Sequence, residues 1–246
     1  MSVFAISDLH LSLNGKTNKS MEVFGKRWQG YVTKLESNWR ALVSEEDTVI
    51  LAGDISWALS TDEAKEDLRF LNALPGKKIV GKGNHDFWWQ TMSKLTAFKE
   101  KYALDTISFL YNNAYTVEDF IVAGTRGWFY DPSCDNIPEE TDFQKIVARE
   151  CVRLKLSLDE AKKLKAIHPE KEIIAFLHFP AVWAGKASEE IFAVLKEYGI
   201  RRCFYGHIHG SYEIESDFEA DGIRFSITSA DFLRFTPKII HKAENL

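Results

Sequence analysis

The chain has 246 residues, 45% of them hydrophobic and 27% charged, with a formal net charge of -5 at pH 7. That balance belongs to an ordinary folded globular protein and excludes a disordered or fibrous chain. A mildly acidic surface also lacks the clustered Lys and Arg that a dedicated nucleic-acid binder needs.

The N-terminus, Met1 to Asp8, carries no basic segment ahead of a long apolar one, and no stretch is apolar for the roughly 18 residues of a membrane span. The expectation is a cytoplasmic protein without a membrane span. Cys134, Cys151 and Cys203 form no CxxC pair, so neither a disulfide framework nor a zinc ribbon is expected. No repeat or Pro/Ser-rich linker interrupts the chain, and a single α/β domain over residues 1–246 is expected.

Short apolar runs suited to buried strands stand at Val3 to Ser7, Thr48 to Ala52, Lys78 to Val80, Ile173 to Leu177 and Arg202 to Tyr205. Between the first two, Trp28, Tyr31, Val32, Leu35, Trp39 and Leu42 recur at helical spacing, which predicts a helix with one face against a sheet. Ser60 and Glu63 read as a capping box opening a helix that stops near Pro75-Gly76. Ala114 to Val117 and Phe120 to Ala123 read as short strands. The turn-rich segment after them, within residues 124–140, is a candidate lid. Ser157 and Glu160 repeat the capping signal before a basic helix ending near His168-Pro169, and Ser188 to Tyr198 forms another helix closed by Gly199. Tyr212 to Ile214 and Ile223 to Thr228 alternate around Asp221-Gly222, the pattern of an antiparallel hairpin.

Polar clusters stand just past five of the strand-like runs: Asp8-Leu9-His10, Gly53-Asp54, Gly83-Asn84-His85-Asp86, His178, and Gly206-His207-Ile208-His209. Ligands of open α/β sheets bind outside the carboxyl ends of the strands, so these distant residues can meet in one crevice. Carboxylate, imidazole and amide oxygen are donors for borderline divalent metals. Asp8, His10, Asp54, Asn84, His178, His207 and His209 exceed what one ion takes, and a carboxylate such as Asp54 can bridge two. The period-two spacing of His207 and His209 in an extended segment would point both the same way. The neighbouring glycines suit tight backbone turns. Trp57, Phe87, Trp88, Trp89, Phe179 and Trp183 follow the ligands. For each of them core packing is the more economical reading than a substrate wall.

In this order, D-x-H, GD, GNH(D/E), H and GHxH form a series that resembles the calcineurin-like metallophosphoesterases, spanning residues 8 to 209. The resemblance implies a four-layer αββα sandwich with two mixed β-sheets, the hairpin-rich C-terminal part supplying the second sheet, and a metal site at the C-terminal ends of strands. It implies two divalent metal ions (Mn, Fe or Zn), one held by Asp8, His10, Asp54 and His209, the other by Asp54, Asn84, His178 and His207. His85 is implied to assist the leaving group without binding metal. Arg126 is a candidate phosphate clamp, and Asp86 a candidate partner for the His85 ring. The implied reaction is hydrolysis of a small phosphomonoester or phosphodiester by a hydroxide bridging the ions. Gly53-Asp54-Ile55-Ser56-Trp57 lacks the Asp-Arg pair of the protein phosphatase branch and is closer to the class III cyclic-nucleotide phosphodiesterase pattern. Two alternatives stand beside it: a pyrophosphatase acting on a nucleotide-linked substrate, and a non-catalytic metal-binding scaffold.

Overall fold

A computed structural model describes residues 1–15, 19–129 and 142–242. Its strands and helices are, in chain order, β1 (Val3–Ile6), α1 (Tyr31–Leu42), β2 (Thr48–Leu51), α2 (Lys65–Ala73), β3 (Lys77–Val80), α3 (Met92–Lys101), β4 (Ile107–Phe109), β5 (Ala114–Val117), β6 (Phe120–Thr125), α4 (Phe143–Ile167), β7 (Glu172–Leu177), β8 (Val182–Trp183), β9 (Lys186–Ala187), α5 (Glu189–Glu197), β10 (Arg202–Tyr205), β11 (Asp217–Ala220), β12 (Ile223–Ile227) and β13 (Lys238–His241).

Two mixed sheets carry the architecture, one in the order β13-β1-β2-β3-β4 and the other β11-β12-β10-β7-β6-β5. The inner strands pair in parallel, and antiparallel strands lie at the edges: β13 on the first sheet, β11 and β5 on the second. Side-chain alternation along each strand sorts the core into three layers. Val3 and Ala5 of β1 join Ile50, Ile79, Val122, Ile174 and Phe204 between the sheets. Phe4 and Ile6 face the other way, against Leu35 and Trp39 of α1 and Leu68 and Leu71 of α2. The outer face of the second sheet (Ile121, Ala175, Cys203, Phe225) packs on Leu154 and Leu158 of α4 and on Ile191 and Leu195 of α5. Helix, sheet, sheet and helix thus stack as the αββα arrangement expected.

Several local expectations shift. Leu42, at the end of the α1 stripe, is 49% exposed, and the core contact there is made by Trp39 and by Val43 just past the helix. Ser60 caps Glu63 N at 3.3 Å, yet the Glu63 carboxylate accepts from Leu59 N rather than closing the box, and regular helix begins only at Lys65. Ser157 opens no helix. It is buried inside the continuous α4, accepts from Gly124 N at 2.8 Å and donates to Asn113 O at 2.6 Å, so its hydroxyl ties the helix to β6 instead of capping.

The C-terminal hairpin begins later than expected. Its first strand is Asp217–Ala220, paired with Ile223–Ile227 across Asp221 and Gly222 at φ of 48° and 76°. That two-residue turn with both residues left-handed fixes the register. The second sheet is accordingly built mostly from β5, β6, β7 and β10, and the C-terminal strand β13 returns to the first sheet beside β1. The candidate lid falls largely on residues outside the described ones. Among the described residues, no helix is long and apolar enough to cross a membrane. Cys151 and Cys203 are free thiols.

Candidate metal centre

The loops that follow β1, β2, β3, β7 and β10 meet at one end of the two sheets. Backbone hydrogen bonds lace them together: Asp8 N to Gly53 O at 2.9 Å, His10 N to Asp54 O at 3.0 Å and Gly206 N to His178 O at 3.1 Å. Asp8, His10, Asp54 and His207 all adopt left-handed backbone, with φ of 58°, 46°, 52° and 70°. Non-glycine residues rarely occupy that region, and such strain gathers where a site over-determines the chain. Gly83 and Gly206 are required for approach rather than for turning. A Cβ on Gly83 would run into the Asp54 carboxylate, and one on Gly206 into the Asp8 carboxylate and the Ser7 hydroxyl.

All seven candidate ligands converge. His10 Nε2 lies 3.2 Å from His209 Nε2, 3.7 Å from Asp54 Oδ2 and 4.0 Å from Asp8 Oδ1, and Asp8 Oδ1 is 3.3 Å from His209 Nε2. On the other side, His178 Nε2 is 2.6 Å from Asn84 Oδ1 and 3.4 Å from Asp54 Oδ2, and His207 Nδ1 is 3.1 Å from Asn84 Oδ1. Asp54 Oδ2 therefore faces an imidazole of each half. Asp8-His10-His209 and Asp8-Asp54-His178 are two groups whose donor atoms lie within 4.8 Å of one another, sharing the Asp8 carboxylate. His207 and His209 do not point the same way: the left-handed step at His207 sends one ring toward Asn84 and the other toward Asp8.

The donor chemistry fits divalent ions. His178 donates Nδ1–H to the Ala52 carbonyl at 3.0 Å, which leaves the Nε2 lone pair facing two acceptor oxygens. His209 likewise gives Nδ1–H to Asp231 Oδ1 at 2.9 Å and turns Nε2 toward Asp8. Lone pairs that meet without a proton between them need a cation, and such outer hydrogen bonds are how ligating imidazoles are oriented.

In the metal-free protein protons answer this demand. Burial opposes charge on His209, but hydrogen bonds to Asp231 and Asp8 outweigh it and push its pKa up to about 10. His178 is raised in the same way, against burial, by the charge of Asp54. Burial lowers His10 to about 4, and burial with the neighbouring His178 lowers His207 to about 3. The carboxylates remain ionised. Burial works against this, but His209, His178 and His10 hold Asp8 well below the usual range, and chiefly His178 draws Asp54 down to about 2.

His85 stands apart from the ligand set. Its backbone N–H donates to Asp54 Oδ1 at 2.8 Å, while its ring sits 4.4 Å from that of Trp57 and 5.5 Å from that of His10. The ring lines a cavity of about 360 Å³ that also exposes His10 and His209. Burial lowers its pKa. Asp86 does not orient this ring. Its fully buried carboxylate accepts from the backbone N–H of Asp54, Ile55, Ser56 and Gly83 and from Trp88 Nε1, at 2.8 to 3.2 Å, and so clamps the β2 and β3 loops together. Arg126 lies on the β6 flank, where Nη2 donates to the buried Glu150 at 3.2 Å and its carbonyl accepts from His178 N and Phe179 N. It is not among the residues lining the His85 cavity. Of the aromatics, Trp88 and Trp89 are core, Phe179 packs 4.1 Å from the His207 ring, Phe87 is exposed, and Trp57 stacks 4.8 Å over His10.

Sequence reasoning missed Asp231. It follows β12, is fully buried, and accepts from His209, from Gly210 N at 3.2 Å and from Tyr212 Oη at 2.9 Å. Its position beyond a strand end in Ser229-Ala230-Asp231 was the available signal.

A family model for calcineurin-like phosphoesterases matches residues 1–211. The chain belongs to that family. Among solved structures it is similar to TT1561 of Thermus thermophilus, with 12% identity over 97% of each chain and a TM-score of 0.57, a likeness that shows the fold. It is also similar to AQ665 from Aquifex aeolicus, a protein described as of unknown function, with 18% identity over 97% of this chain and 95% of that one, at a TM-score of 0.48. Comparison with curated proteins finds no match. Family and Asp/His clusters together support metal-dependent hydrolysis of phosphoesters.

Proposed function

We propose that the chain is a binuclear phosphoesterase acting on a small phosphodiester or phosphomonoester. The observation that carries this reading is Asp54, whose Oδ2 faces His10 on one side and His178 on the other, between two sets of converging donors. Asp8, His10, Asp54 and His209 would hold one ion, and Asp54, Asn84, His178 and His207 the second. When bound, such ions supply an activated water at neutral pH and a positive field for the phosphoryl oxygens.

The chain's own residues do the rest. His85 lines the same cavity as His10 and His209, and in this reading it gives a proton to the leaving oxygen. Its ring is held against Trp57, and the Asp54 carboxylate fixes its backbone. Asp86 keeps the His85 and Asp54 loops in register. A scaffold that merely bound metal would have no use for an unligated imidazole at this position.

The test is hydrolysis of bis-p-nitrophenyl phosphate and p-nitrophenyl phosphate by metal-stripped protein with Mn²⁺ restored. Turnover should depend on the metal and vanish in Asp54→Asn together with bound ions. His85→Ala should keep its metal and lose about 10²- to 10⁴-fold in kcat, the usual share of a general acid. Metal-independent turnover, or a His85→Ala variant as active as the parent, would overturn the assignment.

A further inference from the structure

The cavity that exposes His10, His85 and His209 is also lined by Met21, Phe24, Trp28 and Trp57. A second cavity, of about 530 Å³, shares Met21, Phe24 and Trp57 with it and is otherwise lined by Val23, Ser20 and Lys19, whose Nζ lies 4.6 Å from the centre of the Trp57 ring. At this rim Val23 is 80% exposed and Phe24 67% exposed, two neighbouring large apolar side chains beside a centre whose chemistry is polar.

The rim is built rather than stray. Met21–Phe24 is a 3-10 turn capped by Ser20 Oγ, which accepts from Glu22 N at 3.2 Å, and the Glu22 carboxylate reaches forward to Gly30 N at 2.9 Å. The following turn, Lys26–Trp28, anchors the segment by sinking Trp28 against Tyr31 and Phe235 at ring distances of 5.3 and 5.1 Å. Fixed apolar surface left in water is unfavourable unless something covers it, and pockets take their affinity from such walls and their orientation from a few polar groups. Here the polar groups are the imidazoles of His10, His85 and His209 together with Tyr212 and Asp231, and on the phosphoesterase reading the occupant is the group attached to the phosphorus that the imidazoles would face.

We infer that the Met21–Phe24 turn and Trp57 form a subsite for an apolar ester group of the substrate, aryl or alkyl, lying on the His85 side of the phosphorus. The inference rests on the phosphoesterase reading and narrows it to esters that carry a hydrophobic alcohol.

The experiment measures inhibition of bis-p-nitrophenyl phosphate hydrolysis by methyl-, butyl-, octyl- and phenylphosphonate, with calorimetric binding of the same compounds to Mn²⁺-loaded protein. The inhibition constant should fall by at least about tenfold from methyl to octyl or phenyl, a small part of what full burial of each methylene gives. The phenyl and octyl arms separate an aryl from an alkyl preference. In Val23→Ser/Phe24→Ser, whose exposed positions leave the core untouched, the fall should shrink to under about threefold, and Phe24→Leu should restore most of it. Constants that stay flat across the series in the parent, or a series unaltered in the double variant, would overturn the subsite. A change in sedimentation of the double variant with an unaltered series would assign the patch to contact between copies and would equally overturn it. Loss of turnover with the calorimetric series intact would instead strike the phosphoesterase reading.

Discussion

On the side of the centre nearer His10, which follows β1, His209 is held by the side-chain carboxylate of Asp231, whereas on the side of Asn84, which follows β3, His178 is held by the backbone carbonyl of Ala52. Both devices fix which nitrogen faces the centre, but they differ in charge. A buried carboxylate behind an imidazole makes it more basic, and His209 rises to about 10 against burial through Asp231 and Asp8, whereas His178, backed by a neutral carbonyl, is raised against burial by the charge of Asp54 inside the centre. One half is tuned by a distant side chain that can be mutated; the other is built into the strands themselves. The geometry of the second half should therefore survive changes that disable the first.

The strongest way to break this comparison is Asp231→Asn. The variant keeps an oxygen for His209 but removes the charge behind it, and outer partners of ligating imidazoles are worth about 10- to 100-fold in metal affinity. On the binuclear reading, the expected result is protein that retains one ion after dialysis where the parent would retain two, measured by elemental analysis. Loss of both ions, or of neither, would show that the halves are not independently anchored.

A pH series sharpens it. In the metal-free protein the folded pKa of His209 stands at about 10 against an ordinary value of 6.5. A pKa raised by folding stabilises fully below the unfolded value, and that contribution is lost as pH rises through the folded one. Thermal unfolding of chelator-treated protein should then fall in midpoint from pH 6.5 to pH 10 because of this group, and the fall should be shallower in Asp231→Asn. Equal slopes in parent and variant would mean that Asp231 does not hold the proton on His209.

The same contrast explains what was legible in the sequence. Asp8, His10, Asp54, Asn84, His178, His207 and His209 each punctuate the end of a strand, so local pattern and chemistry announce them together. Asp231 does so too, but it stands 22 positions from His209 and belongs to no short motif. Ser157 was misleading because a hydroxyl's choice between a cap and a distant backbone is settled by what packs against it, here Gly124 and Asn113. The role of Asp86 was hidden likewise: its donors come from the β2 loop about 30 residues away as well as from its own loop. The sandwich was visible as a set of strands, while the return of β13 to the first sheet depends on pairing with β1 across the whole chain.

The smallest expected effect concerns the backbone of the first half. Tyr31 Oη, at the start of α1, donates to the His10 carbonyl at 2.8 Å, and the bond is buried. His10 sits at a φ of 46°, and its Nδ1 has no partner among the described residues. With the ring supported only by packing and its lone pair by the centre, the hydroxyl of Tyr31 helps hold the peptide that aims the ring. Tyr31→Phe leaves a buried carbonyl without that donor, which costs about 1 to 2 kcal/mol. Denaturant unfolding should show that loss, with metal content unchanged, because Asp8, Asp54 and His209 still converge on the same point. A variant that keeps its stability but loses an ion would place Tyr31 in the ligand geometry itself and make the β1 flank even more dependent on remote side chains than Asp231 alone implies.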